Sequence, residues 1–409
     1  MPNSTSPALL SVATALARIL ASLQPTAVQR LPLADALGYF LADDIKAKLT
    51  LPPHDVSSMD GFAVRAQDVA ACPASLTRVG ESAAGHPWPG RLGPQQAVRI
   101  FTGAYVPDGA DCIVIQENVA AASEADGSQI TVLKAGSRGR YIRPAGLDIT
   151  AGDIALAKGS YLSARRIALA IAAGETSALV CTPPRIGILS TGDELVPPGT
   201  PPGPGQIISS NAAFLTAFVK NCGAHPIDLG IAIDAPGAVQ TAVSAAHDLD
   251  MVVTTGGASV GTHDHIVSDL AHGKLDFWKI AMRPGKPLIW GEIGGIPLLG
   301  LPGNPVSTAV CALVFLQPAI AALCGGQHTH AMFRAAIATD MPENDQRQDY
   351  IRATIETTEA QLAVRPATKQ DSSMMGVLAT ADALIVRPPF DPPLTAGDLV
   401  DILPLPRLF

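Results

Sequence analysis

Four loops in the middle of the chain carry residues whose types could do chemistry, and three of them directly follow an apolar run. Their sequences are STGDEL (190–195), TGGASVG (255–261), RPGKP (283–287) and PGNPVS (302–307). Arg283 and Lys286 flank a predicted turn. Arg can bind two anionic oxygen atoms at once, whereas Lys acts as a point charge. This part of the chain therefore predicts an anion site.

Small residues in two of these loops favour close contact between the backbone and a ligand. Gly256 and Gly257 have no side chain to block the approach. Asn304 could cap a helix that begins at Pro305 and presents free N–H groups. Each feature also has a simpler interpretation, because Gly-Gly pairs make tight turns and the acidic pair in STGDEL could be solvated. The combination favours a binding site.

The apolar runs before the loops are predicted strands, separated by helical patterns. The runs are RIGIL (185–189), PIDLGIAI (226–233), DMVVT (250–254) and IPLLGL (296–301). Strands that alternate with helices predict a doubly wound parallel α/β unit. In such a sheet, ligands bind beyond the carboxyl ends of the strands. We therefore expect the loops to face one pocket.

Composition describes a well-buried globular protein of several domains. The chain has 409 residues, 47% hydrophobic and 16% charged, with a net charge of -8. That length predicts about two to four domains. No basic stripe with interleaved aromatic residues is present, so nucleic acid is not an expected partner. The 6 cysteines are scattered without zinc-type spacing, which favours reduced thiols and a cytoplasmic location.

Two apolar segments could be mistaken for targeting or membrane segments. Ala8 to Leu23 has no preceding basic residue and contains Arg18, so it is predicted to be an amphipathic helix. Val306 to Leu323 is uncharged but contains Gln317 and Pro318. We interpret it as a buried helix of the α/β unit, and no membrane partner is expected.

Changes of pattern along the chain predict four domains, one of them discontinuous. Helical spacing dominates from Pro7 to Leu51, short β-rich runs follow, and a helix from Arg165 to Ala173 returns to the first domain. The predicted domains are 7–51 with 149–180, 52–148, 181–325, and 326–409. The last one is β-rich.

Several motifs together resemble one known family. They are TGDEL, TTGGASVG, KIAMRPGKP and LPGNPVS in the α/β unit, and SSMDGFA, RIFTGA and RPAGLDI before it. The chain resembles the molybdopterin molybdenumtransferase family, which is related to the C-terminal domain of gephyrin and to the plant molybdenum insertase. The resemblance covers nearly the whole chain. It implies an elongated first domain that pairs two subunits, an inserted β domain and a C-terminal β-barrel.

The resemblance also implies a reaction. The family inserts molybdate into adenylylated molybdopterin and releases AMP, with Mg²⁺ offsetting the repulsion between carboxylates and anionic substrates. Five acidic residues would be catalytic, namely Asp60, Asp148, Glu194, Asp234 and Asp264, and the last three would hold the metal. The implied substrate-binding residues are Thr102, Gly256, Gly257, Ser259, Lys279, Arg283, Lys286, Pro302, Asn304, Pro305 and Ser372.

Some residues depart from the family pattern. Leu147 stands where an acidic residue is usual, Arg283 where Lys is common, and Asp371 replaces a Gly in the loop around Ser372. The loop 370–377 also lacks two of the family's serines. Leu147 removes one negative charge, and Arg283 changes the hydrogen-bonding geometry available to an anion. The substitutions in 370–377 alter the loop that is expected to contact the substrate.

Three local alternatives remain open at the level of the sequence. Asp60 could simply begin a turn, and Asp234 could cap a helix before Pro236. His263 and His265 could be metal ligands, but alternate residues in a loop are more often polar side chains.

Three functions are compatible with the motifs. The first is the metal-inserting enzyme, a homodimer with transient contacts to other proteins of the pathway. The second is a non-catalytic molybdopterin-binding or scaffold protein. The third is a molybdopterin adenylyltransferase, which would need the α/β unit but neither the β domains nor the long first domain. Retention of the acidic residues favours the first, whereas preference for molybdenum or tungsten is not encoded in these motifs.

Overall fold

The computed structural model describes residues 9–121, 125–257, 274–357 and 362–405. A six-stranded mixed sheet has the order His225–Ala232, Arg185–Thr191, Met251–Thr255, Ile296–Leu301, Ile289–Ile293 and Lys274–Trp278. The first four strands run parallel, as predicted. The last two are antiparallel, which was not predicted. This edge forms because Gly294 and Gly295 both have positive φ and make a two-residue hairpin turn.

Helices cover both faces of this sheet. They span Ser210–Asn221, Ala238–Ser244 and Pro305–Leu323, the last with a π-helical turn at Ala312–Leu316. Pro305–Leu323 is apolar and long enough to cross a bilayer, but its most apolar window is 89% buried within the protein. Its interpretation as a core helix is therefore confirmed.

The amino-terminal helix belongs to the same core. It spans Val12–Ser22, and the Ser11 hydroxyl caps it by accepting a hydrogen bond from the Thr14 N–H at 3.1 Å. Its buried residues recur at helical spacing and pack in the core cluster that contains Phe315. The prediction of a helix here is confirmed. Its apolar face is covered by the α/β unit, however, whereas the sequence pattern assigned the helix to the first domain.

The segments 28–51 and 149–181 share a separate, smaller core. Strand Val28–Pro32 pairs with Ser177–Cys181, Ile45–Lys46 pairs with Ile154–Leu156, and the helix Ala164–Ala172 packs beside them. The helical prediction for the stretch after Pro32 is wrong, since only a 3-10 turn, Leu33–Asp35, forms there. Pairing between the two segments outweighs the local helical pattern.

A second six-stranded sheet lies in the region 52–148. Its order is Cys112–Ile115, Gly61–Val64, Gln96–Ile100, Ala74–Ser82, Gln129–Val132 and Val119–Ala121. Two-residue strands Val56–Ser57 and Ile142–Arg143 pair beside it, and 3-10 turns span Ala66–Val69 and Gln116–Asn118. The β-rich pattern predicted here is confirmed.

The carboxyl-terminal region forms the predicted β-barrel. Five strands close on one another in the order Gln348–Thr357, Leu362–Pro366, Phe333–Ile337, Leu399–Pro404 and Ala383–Arg387. A short helix, Met375–Ala379, follows the altered loop. The two-residue strand Met282–Arg283 of the α/β unit pairs in parallel with Gln348 and Asp349. This pairing joins the barrel to the RPGKP loop. A further pair, Leu195–Val196 with Ile207–Ile208, follows the TGDEL loop.

Candidate functional site

A cavity of about 780 Å³ lies between the α/β unit and the barrel. The RPGKP loop, the start of helix Pro305–Leu323 and the barrel strand Gln348–Thr357 all contribute to its lining. Four of the predicted substrate-binding residues lie here: Arg283, Lys286, Asn304 and Ser372. Loops that are distant in sequence therefore meet at one place.

The helix start and the altered loop are joined by hydrogen bonds. The side-chain amide of Asn304 donates to the Ser372 hydroxyl at 2.7 Å, and the Val306 N–H donates to the Ser372 carbonyl at 3.0 Å. The Thr308 hydroxyl donates to the Pro302 carbonyl at 2.6 Å. The prediction that this helix start presents its N–H groups to a ligand is therefore wrong for Val306.

Arg283 is not free to grip a substrate as the sequence suggested. Its Nε donates to Asp349 Oδ2 at 3.0 Å, its Nη2 contacts Asp349 and Asn344, and its Nη1 lies 3.4 Å from Asp345 Oδ2. The hydrogen bond to Asp349 raises the pKa of Arg283 above its ordinary value. Arg283 thus lines the cavity while its guanidinium is held by the barrel.

Lys286, three positions later, has no such restraint. It is exposed in the cavity, and within the described chain it forms no ion pair. The turn that carries it is tight, because a Cβ on Gly285 would lie 2.5 Å from Cys311 Sγ and φ there is +112°. The main chain of Lys286 also accepts from the Ile280 N–H at 2.9 Å. An ammonium group without an ion-pair partner among the described residues therefore extends from a tightly packed turn.

Arg352 is a cavity residue that the sequence did not reveal. It is 1% exposed, and its Nε and Nη2 atoms have no hydrogen-bond partner within the described residues. Burial lowers its pKa, while the nearby carboxylates of Asp349 and Asp371 raise it. Its position between Ile351 and Ala353 in the barrel strand was the available signal, because a buried Arg without a partner is costly. Such a group is suited to an anionic ligand.

Lys279 lies apart from these groups. Its ammonium nitrogen sits 4.0 Å from the centre of the Trp278 ring, and its backbone has a positive φ of 98°. It is not among the residues that line the cavity. Its predicted role as a substrate ligand has no support from this arrangement.

The TGDEL loop forms a second group at the carboxyl ends of neighbouring strands. The Asp234 N–H donates to Asp193 Oδ1 at 3.1 Å, and Glu194 is exposed beside Gly192. Asp234 does not cap the following helix, whose N-cap is Gly237, so that alternative is wrong. The structure therefore brings the main chain of Asp234 next to the TGDEL loop.

The third acidic residue of the predicted metal set, Asp264, lies outside the described residues, as do Ser259, His263 and His265. Among the residues that are described, no group of three His, Cys, Asp or Glu side chains is arranged to hold a metal. The ligand set for Mg²⁺ therefore remains a prediction.

Glycines bring the ends of three strands close together. A Cβ on Gly256 would lie 2.3 Å from the Thr191 carbonyl oxygen, and a Cβ on Gly303 would lie 3.4 Å from Gly256 Cα. Asn211 joins the same loops, because its side-chain amide donates to the Thr255 hydroxyl and the Gly303 carbonyl, both at 2.8 Å. Gly257, also with a positive φ, continues this loop.

Asp60 and Asp148 lie in the region 52–148 and do not line the cavity. The Asp60 carboxylate accepts from both the N–H and the hydroxyl of Thr102 at 2.8 Å. The Thr102 N–H is the main cause of the lowered pKa of Asp60. Asp60 therefore binds a partner 42 residues away, so it does more than begin its own turn. Asp148 is exposed, and its N–H donates to the Leu51 carbonyl at 3.0 Å.

Comparisons with known proteins cover almost the whole chain. Residues 10–174 match "MoeA N-terminal region (domain I and II)", 187–322 match "Probable molybdopterin binding domain", and 334–405 match "MoeA C-terminal region (domain IV)". A molybdopterin molybdenumtransferase of Haemophilus influenzae is 34% identical over 94% of this chain and 95% of its own. One from a Nostoc species is 36% identical over 91% of this chain and 87% of its own.

A solved structure supports the same relationship. The molybdopterin biosynthesis MoeA protein of Pyrococcus horikoshii has a TM-score of 0.81 and 25% identity, covering 97% of this chain and 100% of its own. With matched regions in the same order, a shared fold and relatives above one-third identity, the chain belongs to the molybdopterin molybdenumtransferase family.

Proposed function

We propose that this protein acts in molybdenum cofactor biosynthesis by inserting molybdenum from molybdate into adenylylated molybdopterin, with release of AMP. The observation that carries the proposal is the cavity between the α/β unit and the barrel. Among its described lining residues, Lys286 and Arg352 are cations without a carboxylate hydrogen-bond partner. A tetrahedral dianion such as molybdate would supply the negatively charged acceptor that both side chains lack.

The chemistry of Arg352 supports an oxyanion more than a neutral ligand. A buried guanidinium with unpaired donors is unfavourable, and an oxyanion satisfies such donors through charge-assisted hydrogen bonds. Lys286 would add a second positive charge from a flexible stem. Ser372, already held by Asn304, lies at the same cavity and could orient one oxygen of the substrate.

We propose that Mg²⁺ binds near the adenylate end of the substrate. Glu194 and Asp234 at the strand ends, together with Asp264, would supply the hard oxygen atoms that this ion prefers. The exposed Glu194 carboxylate fits that donor chemistry, and the hydrogen bond from the Asp234 N–H to Asp193 brings Asp234 to the same loop. When bound, the ion would neutralise phosphate charge as AMP leaves. Gly256 and Gly257 would let the backbone approach the pterin substrate closely.

We also propose a homodimer. The segments 28–51 and 149–181 carry six large apolar side chains that are about half exposed: Val28, Leu37, Leu49, Ile154, Tyr161 and Ile171. A second copy would cover this surface. Because Asp60 and Asp148 do not line the cavity of their own chain, the second copy would also bring them to the substrate.

Location and domain boundaries are further parts of the proposal. The 6 cysteines are free thiols, which is typical of the cytoplasm. For the four predicted domains, with boundaries near 52, 149, 181 and 326, separate cores in three regions are support, although the helix Val12–Ser22 packs in the core of the α/β unit. Transient contacts with other proteins of the same pathway would deliver substrate.

The alternatives make different predictions for one experiment. The protein is mixed with adenylylated molybdopterin, molybdate and Mg²⁺, and AMP and the metal content of the pterin are measured. We expect AMP and molybdenum-loaded pterin in equal amounts. Tight pterin binding without AMP would support the scaffold, whereas conversion of molybdopterin and ATP to the adenylate would support the adenylyltransferase. Arg352 favours metal insertion over adenylylation as the function. The barrel contributes this residue to the cavity, and an adenylyltransferase would not need the barrel.

A further inference from the structure

The Asp60 carboxylate is exposed to solvent and yet held in one orientation. Its Oδ1 atom accepts from the N–H and the hydroxyl of Thr102, both at 2.8 Å, and its main-chain carbonyl accepts from the Gln116 N–H at 3.1 Å. Among the described residues, Oδ2 accepts no hydrogen bond. Because an exposed side chain loses entropy when it is fixed, this arrangement favours a functional role for Asp60 over simple solvation.

Arg99 lies beside this turn and binds the two segments that hold it. Its Nη1 atom donates to the Gly61 carbonyl at 3.0 Å, and its Nη2 atom donates to Gln116 Oε1 at 2.8 Å. Gly61 follows Asp60 in the chain, and Gln116 is the residue whose N–H binds the Asp60 carbonyl. One guanidinium therefore connects both main-chain supports of Asp60.

Two aromatic rings fix the position of the guanidinium. Arg99 Cζ lies 5.2 Å from the centre of the Phe62 ring and 4.7 Å from the centre of the Phe101 ring. Phe62 is directly opposite Arg99 on the neighbouring antiparallel strand, and Phe101 immediately precedes Thr102. A planar guanidinium is suited to such stacking, and it can still donate hydrogen bonds from its edge. The same side chain thus supports both partners of the Asp60–Thr102 contact.

Arg99 does not neutralise the carboxylate beside it. Its described hydrogen bonds go to Gly61 and Gln116, and no ion pair with Asp60 is formed within the described chain. The Thr102 N–H is the main cause of the lowered pKa of Asp60, and the charge of Arg99 contributes least. Asp60 therefore keeps its negative charge and a free Oδ2 atom, while Arg99 contributes to its geometry.

We propose that Arg99 is a positioning residue, which holds the Asp60 turn so that the free oxygen atom of Asp60 meets the substrate in one orientation. This inference rests on the proposed function, in which Asp60 acts in the release of AMP. Arg99 acts through Gly61 and Gln116 and does not touch the substrate. Lys cannot replace it, because an ammonium group is a point charge and does not bind two acceptors and stack on two rings at once.

The test is AMP release by the full chain from adenylylated molybdopterin in the presence of molybdate and Mg²⁺. Arg99→Lys keeps the charge, so its KM should stay within about threefold of the wild-type value. Its kcat should fall by about tenfold or more, because a misplaced reacting group can cost on the order of 10² in rate. In the Asp60→Asn background the same change should slow the residual reaction by less than about twofold, since losses do not add when one residue acts through the other.

Two further variants sharpen the test. Gln116→Met removes only the acceptor of Arg99 Nη2, so it should slow AMP release less than Arg99→Lys does, and it should cause no further loss in the Asp60→Asn background. Arg138→Lys is the matched control, because Arg138 lies in the same domain and forms an exposed ion pair with Asp111 at 3.7 Å. Its kcat and KM should equal those of the wild type.

The results distinguish a failed inference from a failed function. Additive losses from Arg99→Lys and Asp60→Asn would show that Arg99 only stabilises the sheet, and an unchanged kcat in Arg99→Lys would show that the turn does not need it. Either result overturns the inference, as would an equal loss in Arg138→Lys, while AMP release by the wild type still supports the proposed function. Wild-type rates in Asp60→Asn would overturn the inference by removing Asp60 from the reaction. Absence of AMP release by the wild type would overturn both.

Discussion

At the scale of single residues, function depends on groups that are unfavourable for folding. Burial of Arg352, whose Nε and Nη2 have no hydrogen-bond partner among the described residues, is unfavourable for the barrel, because desolvation of a charge is offset only by pairing or hydrogen bonds. Lys286 is similarly left without a described carboxylate beside it. Both positions make sense if the ligand supplies the missing negative charge.

Arg352→Met should separate stability from binding. Met fills similar volume without a charge, so the free energy of unfolding should rise by about 1 kcal/mol or more. Molybdate binding should fall by about 10² or more, because a charge-assisted contact in a water-poor site is lost. Urea unfolding and dialysis measure the two effects. A fall in stability would mean that Arg352 has a structural partner in the native fold.

Glu194→Gln tests the other end of the site. The change keeps size and removes charge, so the fold should persist while the Mg²⁺ concentration needed for AMP release increases. We expect a rate loss on the order of 10², the scale of removing one preorganised electrostatic contact. Pterin binding should survive, because the Gly256 loop acts through its backbone. Asp228→Asn, an exposed change on the strand preceding Asp234, is the control. Equal AMP release at every Mg²⁺ concentration would remove Glu194 from the mechanism.

At the scale of elements, the strands of the α/β unit and the barrel were predictable, because their apolar runs end in clear turn signals. The antiparallel edge also has a sequence signal, because Gly294 and Gly295 form a Gly-Gly pair typical of a two-residue hairpin turn. The stretch after Pro32 could not be predicted from its helical pattern, because its partner strand Ser177–Cys181 lies far along the chain. For the same reason the pairing of Arg283 with Asp349, 66 residues away, was invisible to local spacing.

The RPGKP turn should tolerate no side chain at Gly285. A Cβ there would meet Cys311 Sγ at 2.5 Å with φ at +112°, whereas Gly397, with φ at +102°, has no atom within 4 Å of its Cβ position. Both Ala variants carry similar backbone strain, so their difference isolates the steric clash. Gly285→Ala should be less stable than Gly397→Ala by about 1–3 kcal/mol, and its molybdate binding should weaken. Equal melting curves would show that the helix at Cys311 moves to accommodate the methyl group.

At the scale of the whole molecule, the candidate residues fall into separate groups. One group lies between the α/β unit and the barrel, one lies at the TGDEL loop, and Asp60 with Thr102 lies on another sheet. A single chain does not bring Asp60 into the cavity lining. The proposed dimer resolves this separation if each site takes residues from two copies.

Mixed dimers test that arrangement. Asp60→Asn and Arg352→Met should each abolish most AMP release as homodimers. A heterodimer with one copy of each, isolated with two affinity tags, should recover about half of wild-type activity, because one of its two sites then has both intact residues. Homodimers carried through the same purification are the control. An inactive heterodimer would place Asp60 and Arg352 of one chain at the same site, whereas full AMP release by the Asp60→Asn homodimer would remove Asp60 from the reaction.

The parallel pairing of Met282–Arg283 with the barrel has a consequence for protein synthesis. Arg352 and Ser372 follow the α/β unit in the chain, so the ribosome makes them after the complete sheet has emerged. A chain that ends before the barrel therefore lacks Arg352 and Ser372, and it also lacks the barrel residues Tyr350, Leu384 and Leu403 that pack in the core of the α/β unit. On the proposed function, only a chain translated to its barrel would bind molybdate at the cavity.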